Sequence, residues 1–248
     1  MTKRIALVTG GTGGIGTSIC VELASTGHTV VANYFPAEKD QAENWLTEHK
    51  SANRDLHIAP ADVTDFDSCG SMIKQIESDL GAVDILVNCA GITRDKTLKR
   101  MTPEQWNAVI DTNLNSAFNV TQQVVNGMTE RGFGRIINIS SVNGQKGQFG
   151  QANYAAAKAG LHGFTMSVAQ ETATKGVTVN TVSPGYIETA MTSSMPEPVL
   201  EAIVKAVPVG RMGKPEEIAL TVSWLADERN AYTTGANIPV NGGMYMSA

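Results

Sequence analysis

Two kinds of hydrophobic pattern alternate along this chain. Short, nearly unbroken apolar runs stand at RIALVT (4–9), TVVA (29–32), LHIA (56–59), DILVN (84–88), RIINIS (135–140), VTVNTVS (177–183) and NIPV (237–240). The first six lack the strict alternation of a half-exposed strand, so they read as strands covered on both faces. Between the runs, apolar residues recur at helical spacing, as at Ile15, Ile19 and Leu23 and again at Met72, Ile73 and Ile76. Asp65 is placed to cap the second of these helices. Thr102-Pro103-Glu104-Gln105 spells an N-cap, a proline at the first helical position and a capping-box glutamine. Strand and helix in alternation predict right-handed crossovers and an α/β architecture with a doubly wound parallel sheet. No repeat, low-complexity tract or Pro/Ser-rich linker divides the chain, so a single domain over 1–248 is expected. The run 188–207 breaks the rhythm. Val199, Ile203 and Val207 keep helical register and methionines stand at 191 and 195, a pattern that suits a closing lid, with a surface helical hairpin as the alternative.

Composition removes several function classes. A net charge of −5 offers no electrostatic case for a nucleic-acid partner or an anionic membrane surface. No apolar stretch approaches the roughly 18 residues of a membrane helix, so no membrane partner is expected. Cys20, Cys69 and Cys89 are widely spaced, odd in number and preceded by no signal-like segment, which suits reduced thiols in a cytoplasmic protein. His28, His49, His57 and His162 show no ligand spacing, and no metal site is expected.

The first strand runs into TGGTGGIG (9–16), followed by an amphipathic helix. Glycines there allow a tight turn and close approach of a pyrophosphate to a helix N-terminus. Two frames fit: Gly11, Gly13 and Gly16 spell GxGxxG, while Gly10, Gly14 and Gly16 spell GxxxGxG. The setting between strand and helix points to dinucleotide binding. An NAD-type site wants a carboxylate at the end of the second strand, yet VVANYFPAEK offers Asn33 and no acid before Glu38. That neutral end favours NADPH, with Lys39 the nearest cation for a 2′-phosphate, and leaves NADH open. Asp62, after the third strand, is placed either to meet the adenine edge or to cap the next turn.

Tyr154 and Lys158 stand four apart in NYAAAKAG, which puts both on one helical face about 6 Å apart along the axis. A tyrosine can act as general acid, and a nearby ammonium would lower its pKa of about 10. Ser140-Ser141 and Asn88-Cys89-Ala90-Gly91 end two strands at the carboxyl edge where such sheets bind ligands. Asn113, polar within the helical pattern WNAVIDTNLNSAF, needs a hydrogen-bonding reason.

TGGTGGIG, NCAG, Asn113, Ser141, Tyr154-x-x-x-Lys158, Pro184-Gly185 and VNGG (240–243) together resemble the ordered motif set of the short-chain dehydrogenase/reductase family, over essentially the whole chain. Cys89 departs from it, standing where asparagine is usual. The resemblance implies a seven-stranded Rossmann-type sheet and a role for each residue. Tyr154 would protonate the substrate oxygen, and Ser141, thirteen residues earlier, would hold and polarise the carbonyl. Lys158 would depress the tyrosine pKa and bind ribose, and Asn113 would anchor a proton-relaying water. Gly10, Thr12, Gly14, Ile15, Gly16, Asp62 and Val63 would contact the cofactor, as would Asn88, Ala90 and Gly91 behind it. Pro184, Gly185, Ile187 and Thr189 would line the nicotinamide end.

CAGITRD (89–95), SSVNGQKGQFGQANYAAAKAGLHGFTM (140–166) and KGVTVNTVSPGYI (175–187) further resemble the subgroup that reduces acetoacetyl-CoA with NADPH in polyhydroxybutyrate synthesis. Asp95, Gln148, Phe149, Gln151, Gly185 and Tyr186 are then the expected substrate contacts beside Ser141 and Tyr154. Reduction of 3-oxoacyl groups on acyl carrier protein is the neighbouring alternative. A non-catalytic cofactor-binding module is a remote one, since the Ser–Tyr–Lys–Asn set is complete. Arg94, Lys96, Lys99 and Arg100 suit either an acidic carrier protein or the phosphates of CoA. Members of the family commonly form homotetramers, which is the expected assembly.

Overall fold

The computed structural model describes residues 2–51, 54–189, 192 and 196–246. Its seven strands are β1 (Ile5–Val8), β2 (Thr29–Tyr34), β3 (Asp55–Pro60), β4 (Ile85–Asn88), β5 (Gly134–Ile139), β6 (Val177–Pro184) and β7 (Asn237–Val240). They form one sheet in the order β3-β2-β1-β4-β5-β6-β7. Every pairing is parallel, with Leu7 opposite Val31 and Leu86, and Ile137 opposite Asn180.

Side chains along a strand point to alternate faces, so each strand feeds two cores. Ala6, Val8, Val30, Ala32 and Ile137 pack on one face against Ile19 and Leu23 of α1 (Gly14–Ser25), Trp45 of α2 (Lys39–His49) and the final helix. Leu7, Val31, Leu86 and Ile136 pack on the other against Met72, Ile73 and Ile76 of α3 (Phe66–Asp79) and later helices. Both faces are dry. That is why the strands read as continuous apolar runs rather than alternating ones.

Asp65 caps α3 by accepting from Ser68 N at 2.6 Å. Thr102 and Gln105 form the reciprocal capping box of α4 (Pro103–Ile110). Asn113 does not sit in a regular α-helix. A π-helical turn, Asp111–Asn115, joins α4 without a break to α5 (Ser116–Arg131), and such turns re-aim a side chain at functional places. The remaining helices are α6 (Val142–Lys146), α7 (Ala152–Thr172), α8 (Glu197–Ala206) and α9 (Pro215–Ala226). Within the expected lid, α8 accounts for the helical register and buries none of its residues, while Val207 just beyond it is buried. Met191 and Met195 lie outside the described residues.

The strand order reverses between β1 and β4. Their connections leave in opposite directions there and open a crevice at the carboxyl ends of the strands, the place where open α/β sheets take ligands.

Candidate active site

The crevice floor is the turn between β1 and α1. Gly10 has φ +61°, and a Cβ there would stand 3.0 Å from Ala90 Cα. A Cβ on Gly16 would stand 2.2 Å from Gly10 O, and one on Gly14 would stand 3.0 Å from Thr189 Cγ2. The turn is therefore packed against β4 on one side and against the segment after β6 on the other. Gly13 is the N-cap of α1 and gives it no side-chain cap, leaving first-turn N–H groups to meet a phosphate. Thr12 and Ile15 are half-buried along this turn. The closely fitted glycine cradle and the bare helix end suit a dinucleotide pyrophosphate.

Thr9 fastens the turn to β4, its hydroxyl accepting from Cys89 N at 3.0 Å and Ala90 N at 3.1 Å. Below them Asn88 Nδ2 donates to Asn138 Oδ1 at 2.8 Å and Thr121 Oγ1 at 3.2 Å. Asn138 Nδ2 donates onward to Thr165 Oγ1 at 2.8 Å, and the Thr165 and Thr181 hydroxyls pair at 2.7 Å. This buried chain ties β4, β5, β6 and α7 together beneath the site. Sequence inspection passed over Thr9, Asn138, Thr165 and Thr181. The available signal was polar residues inside strand and helix runs that are otherwise covered.

The four candidate catalytic residues converge at the ends of β4 and β5. Lys158 is buried, and its Nζ donates to Ile139 O at 2.8 Å. The ammonium lies 5.6 Å from the Tyr154 ring centroid, and burial pushes its pKa down to about 8. Tyr154 departs from the expected effect of its neighbour. Burial pushes the phenol up to about 12, against the pull of a hydrogen bond with Ser141. Spacing alone showed the ammonium but not the loss of water around the phenol. Ser141 is the N-cap of α6, its Oγ accepting from Asn143 N at 3.1 Å, whereas Ser140 Oγ is committed to Lys158 O at 2.7 Å. Asn113 Nδ2 donates to Ile92 O and Val109 O, both at 2.9 Å. Its Oδ1 is buried without a partner and lies 2.6 Å from where a Gly91 Cβ would be. Lys158 Nζ lies 3.5 Å from that same point, so the unpaired oxygen and the ammonium share one small space.

The substrate-side residues form a second network. Gln151 donates to Asp95 Oδ2 at 2.8 Å and accepts from Asn143 Nδ2 at 2.9 Å. Tyr186 lines the same side, and burial raises its phenol pKa. Asn143 therefore links the Ser141 turn to Gln151 and, through it, to Asp95, a role its place in SSVNG did not reveal. Phe149 is 87% exposed, and Gln148 accepts from Lys146 Nζ at 3.2 Å. Gly185 presses on the chain just past β7, where an added Cβ would stand 2.8 Å from Asn241 Cα. Pro184 ends β6 opposite Val240. Ile187 is buried, and Thr192 Oγ1 accepts from Thr189 N while its one proton lies within reach of the Ile187 and Thr189 carbonyls.

Three expected cofactor contacts find other partners. Asn33 is buried, with its Nδ2 shared among Tyr34 O, Ala59 O and Ala61 O and its Oδ1 accepting from Gly10 N at 3.3 Å. Its side chain braces the turn and β3 rather than standing open at the strand end. Lys39 opens α2 on the surface and pairs with Glu43 at 3.7 Å. Asp62 Oδ1 accepts from Thr64 N and Thr64 Oγ1, the turn-capping role. Val63 beside it is buried, and its carbonyl accepts from Asn119 Nδ2 at 3.0 Å.

A doubly wound sheet with a glycine cradle at its switch point and a Ser–Tyr–Lys–Asn cluster on the facing rim defines a dinucleotide-dependent oxidoreductase of the Rossmann type. Residues 4–199 match the short chain dehydrogenase family. The chain belongs to that family, and its cofactor is a nicotinamide dinucleotide. It is 60% identical over 243 residues to the acetoacetyl-CoA reductase of Allochromatium vinosum, covering 98% of this chain and 99% of that one. The acetoacetyl-CoA reductase of Cupriavidus necator is 56% identical over 99% of this chain and all of its own. A 3-oxoacyl-(acyl-carrier-protein) reductase of Staphylococcus aureus is 46% identical over 99% of both. No described helix is long and apolar enough to cross a membrane.

Proposed function

We propose that this protein reduces the 3-oxo group of acetoacetyl-CoA to (R)-3-hydroxybutyryl-CoA, using NADPH, in polyhydroxybutyrate synthesis. The observation that carries the chemistry is the convergence of Ser141, Tyr154, Lys158 and the unpaired Asn113 Oδ1 beside the glycine cradle. The substrate is supported by the high identity to two acetoacetyl-CoA reductases over nearly their whole length.

The glycine turn and Asn88, Ala90 and Gly91 would hold a nicotinamide dinucleotide whose chemistry, when bound, would be hydride donation to the carbonyl carbon. Ser141 Oγ accepts from Asn143 N, which leaves its own proton available to turn to the substrate oxygen as a polarising contact when substrate is bound. Tyr154, with a phenol pKa near 12, keeps its proton until the substrate oxygen becomes strongly basic and then donates it. Lys158 spends one N–H on Ile139 O and has two left, for a ribose hydroxyl and for a water held at Asn113 Oδ1. That water would return a proton towards the tyrosine through the ribose and lysine. Asn88, Ala90 and Gly91 would back the nicotinamide. Gly10, Gly14 and Gly16 would admit the pyrophosphate, and Ile187 and Thr189 would close the far side.

The choice of NADPH is supported by the lack of any carboxylate between the end of β2 and Glu38, and by exposed Lys39 as the cation nearest that end. A homotetramer is supported by exposed Phe118 on α5 and by exposed Leu220 and Trp224 on α9. Three free cysteines suit the reducing cytoplasm.

The test is kcat/KM for acetoacetyl-CoA and for an acetoacetyl carrier-protein thioester, each with NADPH and NADH. A preference for acetoacetyl-CoA with NADPH is expected. A higher value on the carrier-protein ester would move the protein to the activity named for its Staphylococcus relative, and a preference for NADH would overturn the cofactor choice.

A further inference from the structure

After Gly91, beside Lys158, the chain leaves the site and runs along the surface as ITRDKTLKR to residue 100. Within seven residues it exposes Arg94, Lys96, Lys99 and Arg100, in a protein whose net charge is −5. None of the four has an ion-pair partner among the described residues. Asp95, the carboxylate within the run, is occupied by Gln151, and Glu104 just beyond it is held at the cap of α4. Asp95 keeps its charge, since its partner is a neutral amide, but four cations against one carboxylate leave the run with a positive excess whose potential attracts an anion.

The strip is also fastened to the substrate loop. Lys96 N donates to Gly150 O at 2.9 Å, Asp95 accepts from Gln151, and Asn153 Nδ2 donates to Arg94 O at 3.3 Å. Asn153 in turn precedes Tyr154. Positive charge is thus fixed against the wall of the catalytic crevice. Exposed Leu98 lies on the strip, and exposed Phe149 lies on the loop fastened to it.

We propose that Arg94, Lys96, Lys99 and Arg100 bind the phosphate groups at the nucleotide end of CoA, with Leu98 and Phe149 packing along the pantetheine arm. This rests on the acyl-CoA reading above. The reacting end of the substrate is uncharged, so the nucleotide's phosphates are the part able to use four unpaired cations.

The test compares acetoacetyl-CoA with acetoacetyl-N-acetylcysteamine, a thioester without the nucleotide, in the wild type and in the variant Arg94→Gln/Lys96→Gln/Lys99→Gln/Arg100→Gln. KM for acetoacetyl-CoA should rise roughly tenfold or more, because charge-assisted phosphate contacts are lost, with kcat little changed. The kcat/KM for the truncated ester should stay at the wild-type value. Lys99→Gln alone should move KM in the same direction by a smaller factor. Equal loss on both esters, or no loss on acetoacetyl-CoA, overturns the proposal. A loss confined to a carrier-protein thioester overturns it in favour of an acidic protein partner. If the wild type reduces neither small thioester, the functional reading fails instead. Calorimetric titration with adenosine 3′,5′-bisphosphate then decides the strip separately: binding lost in the variant supports it, and no binding to the wild type overturns it.

Discussion

Lys158→Met separates what the lysine does for chemistry from what it costs the fold. The ammonium is buried, and its pKa falls from 10.5 to about 8 through loss of water. That fall corresponds to about 3 kcal/mol by which folding disfavours the charged form relative to the unfolded chain. Methionine matches the stem but leaves Ile139 O without its donor, which costs about 1–3 kcal/mol. At pH 7 the two effects largely cancel, so the variant should be as stable as the wild type or modestly more stable while losing turnover. The sign of the pH dependence is sharper. Between pH 8 and 10.5 the unfolded wild-type chain holds a proton that the native state has released, so rising pH stabilises native wild type. Above 10.5 both states are neutral and the penalty is gone. The stability of wild type minus that of the variant should therefore climb by about 3 kcal/mol from pH 7 to pH 10.5. Urea unfolding followed by tryptophan fluorescence across that range measures it. A difference that stays flat, or falls, would refute the claim that Lys158 is held charged at a desolvation cost.

Three further outcomes follow from the site. Tyr154→Phe should lower kcat by at least ~10²-fold, the scale of general-acid catalysis, while fluorescence titration shows nucleotide binding largely retained. Thr9→Val leaves the Cys89 and Ala90 N–H groups without their acceptor and should cost about 2 kcal/mol in the urea midpoint, with Thr9→Ser restoring most of it. Gly16→Ala places a carbon 2.2 Å from Gly10 O, so the turn must open; nucleotide affinity should drop about tenfold or more, along with about 1–3 kcal/mol of stability.

β1, β2, β4, β5 and β6 were legible because burial on both faces demands unbroken apolar runs, and the ends of β2, β3, β5 and β6 ran one or two residues further than the pattern. The Asp65 and Thr102 caps were legible because capping acts over three residues. The glycine turn, the Tyr154–Lys158 spacing and the serine at a strand end were equally local signals. Their convergence follows from strand order: Asn138, just before Ser141, meets Asn88 because β5 lies beside β4, and Gly10 meets Ala90 because β4 lies beside β1.

Tertiary structure alone decided which way each polar group faces and how much water it keeps. The Asn33 side chain is taken up by neighbouring backbone that no local spacing announced, and one oxygen of Asp62 by Thr64. The Asn88–Asn138–Thr165–Thr181 chain joins residues scattered over the sequence, so no local spacing could show it. The π-turn that aims Asn113 had no helical-period signature. The Tyr154 pKa moved against its neighbour's charge because desolvation depends on everything packed around the phenol, whereas spacing shows only the residue one turn away.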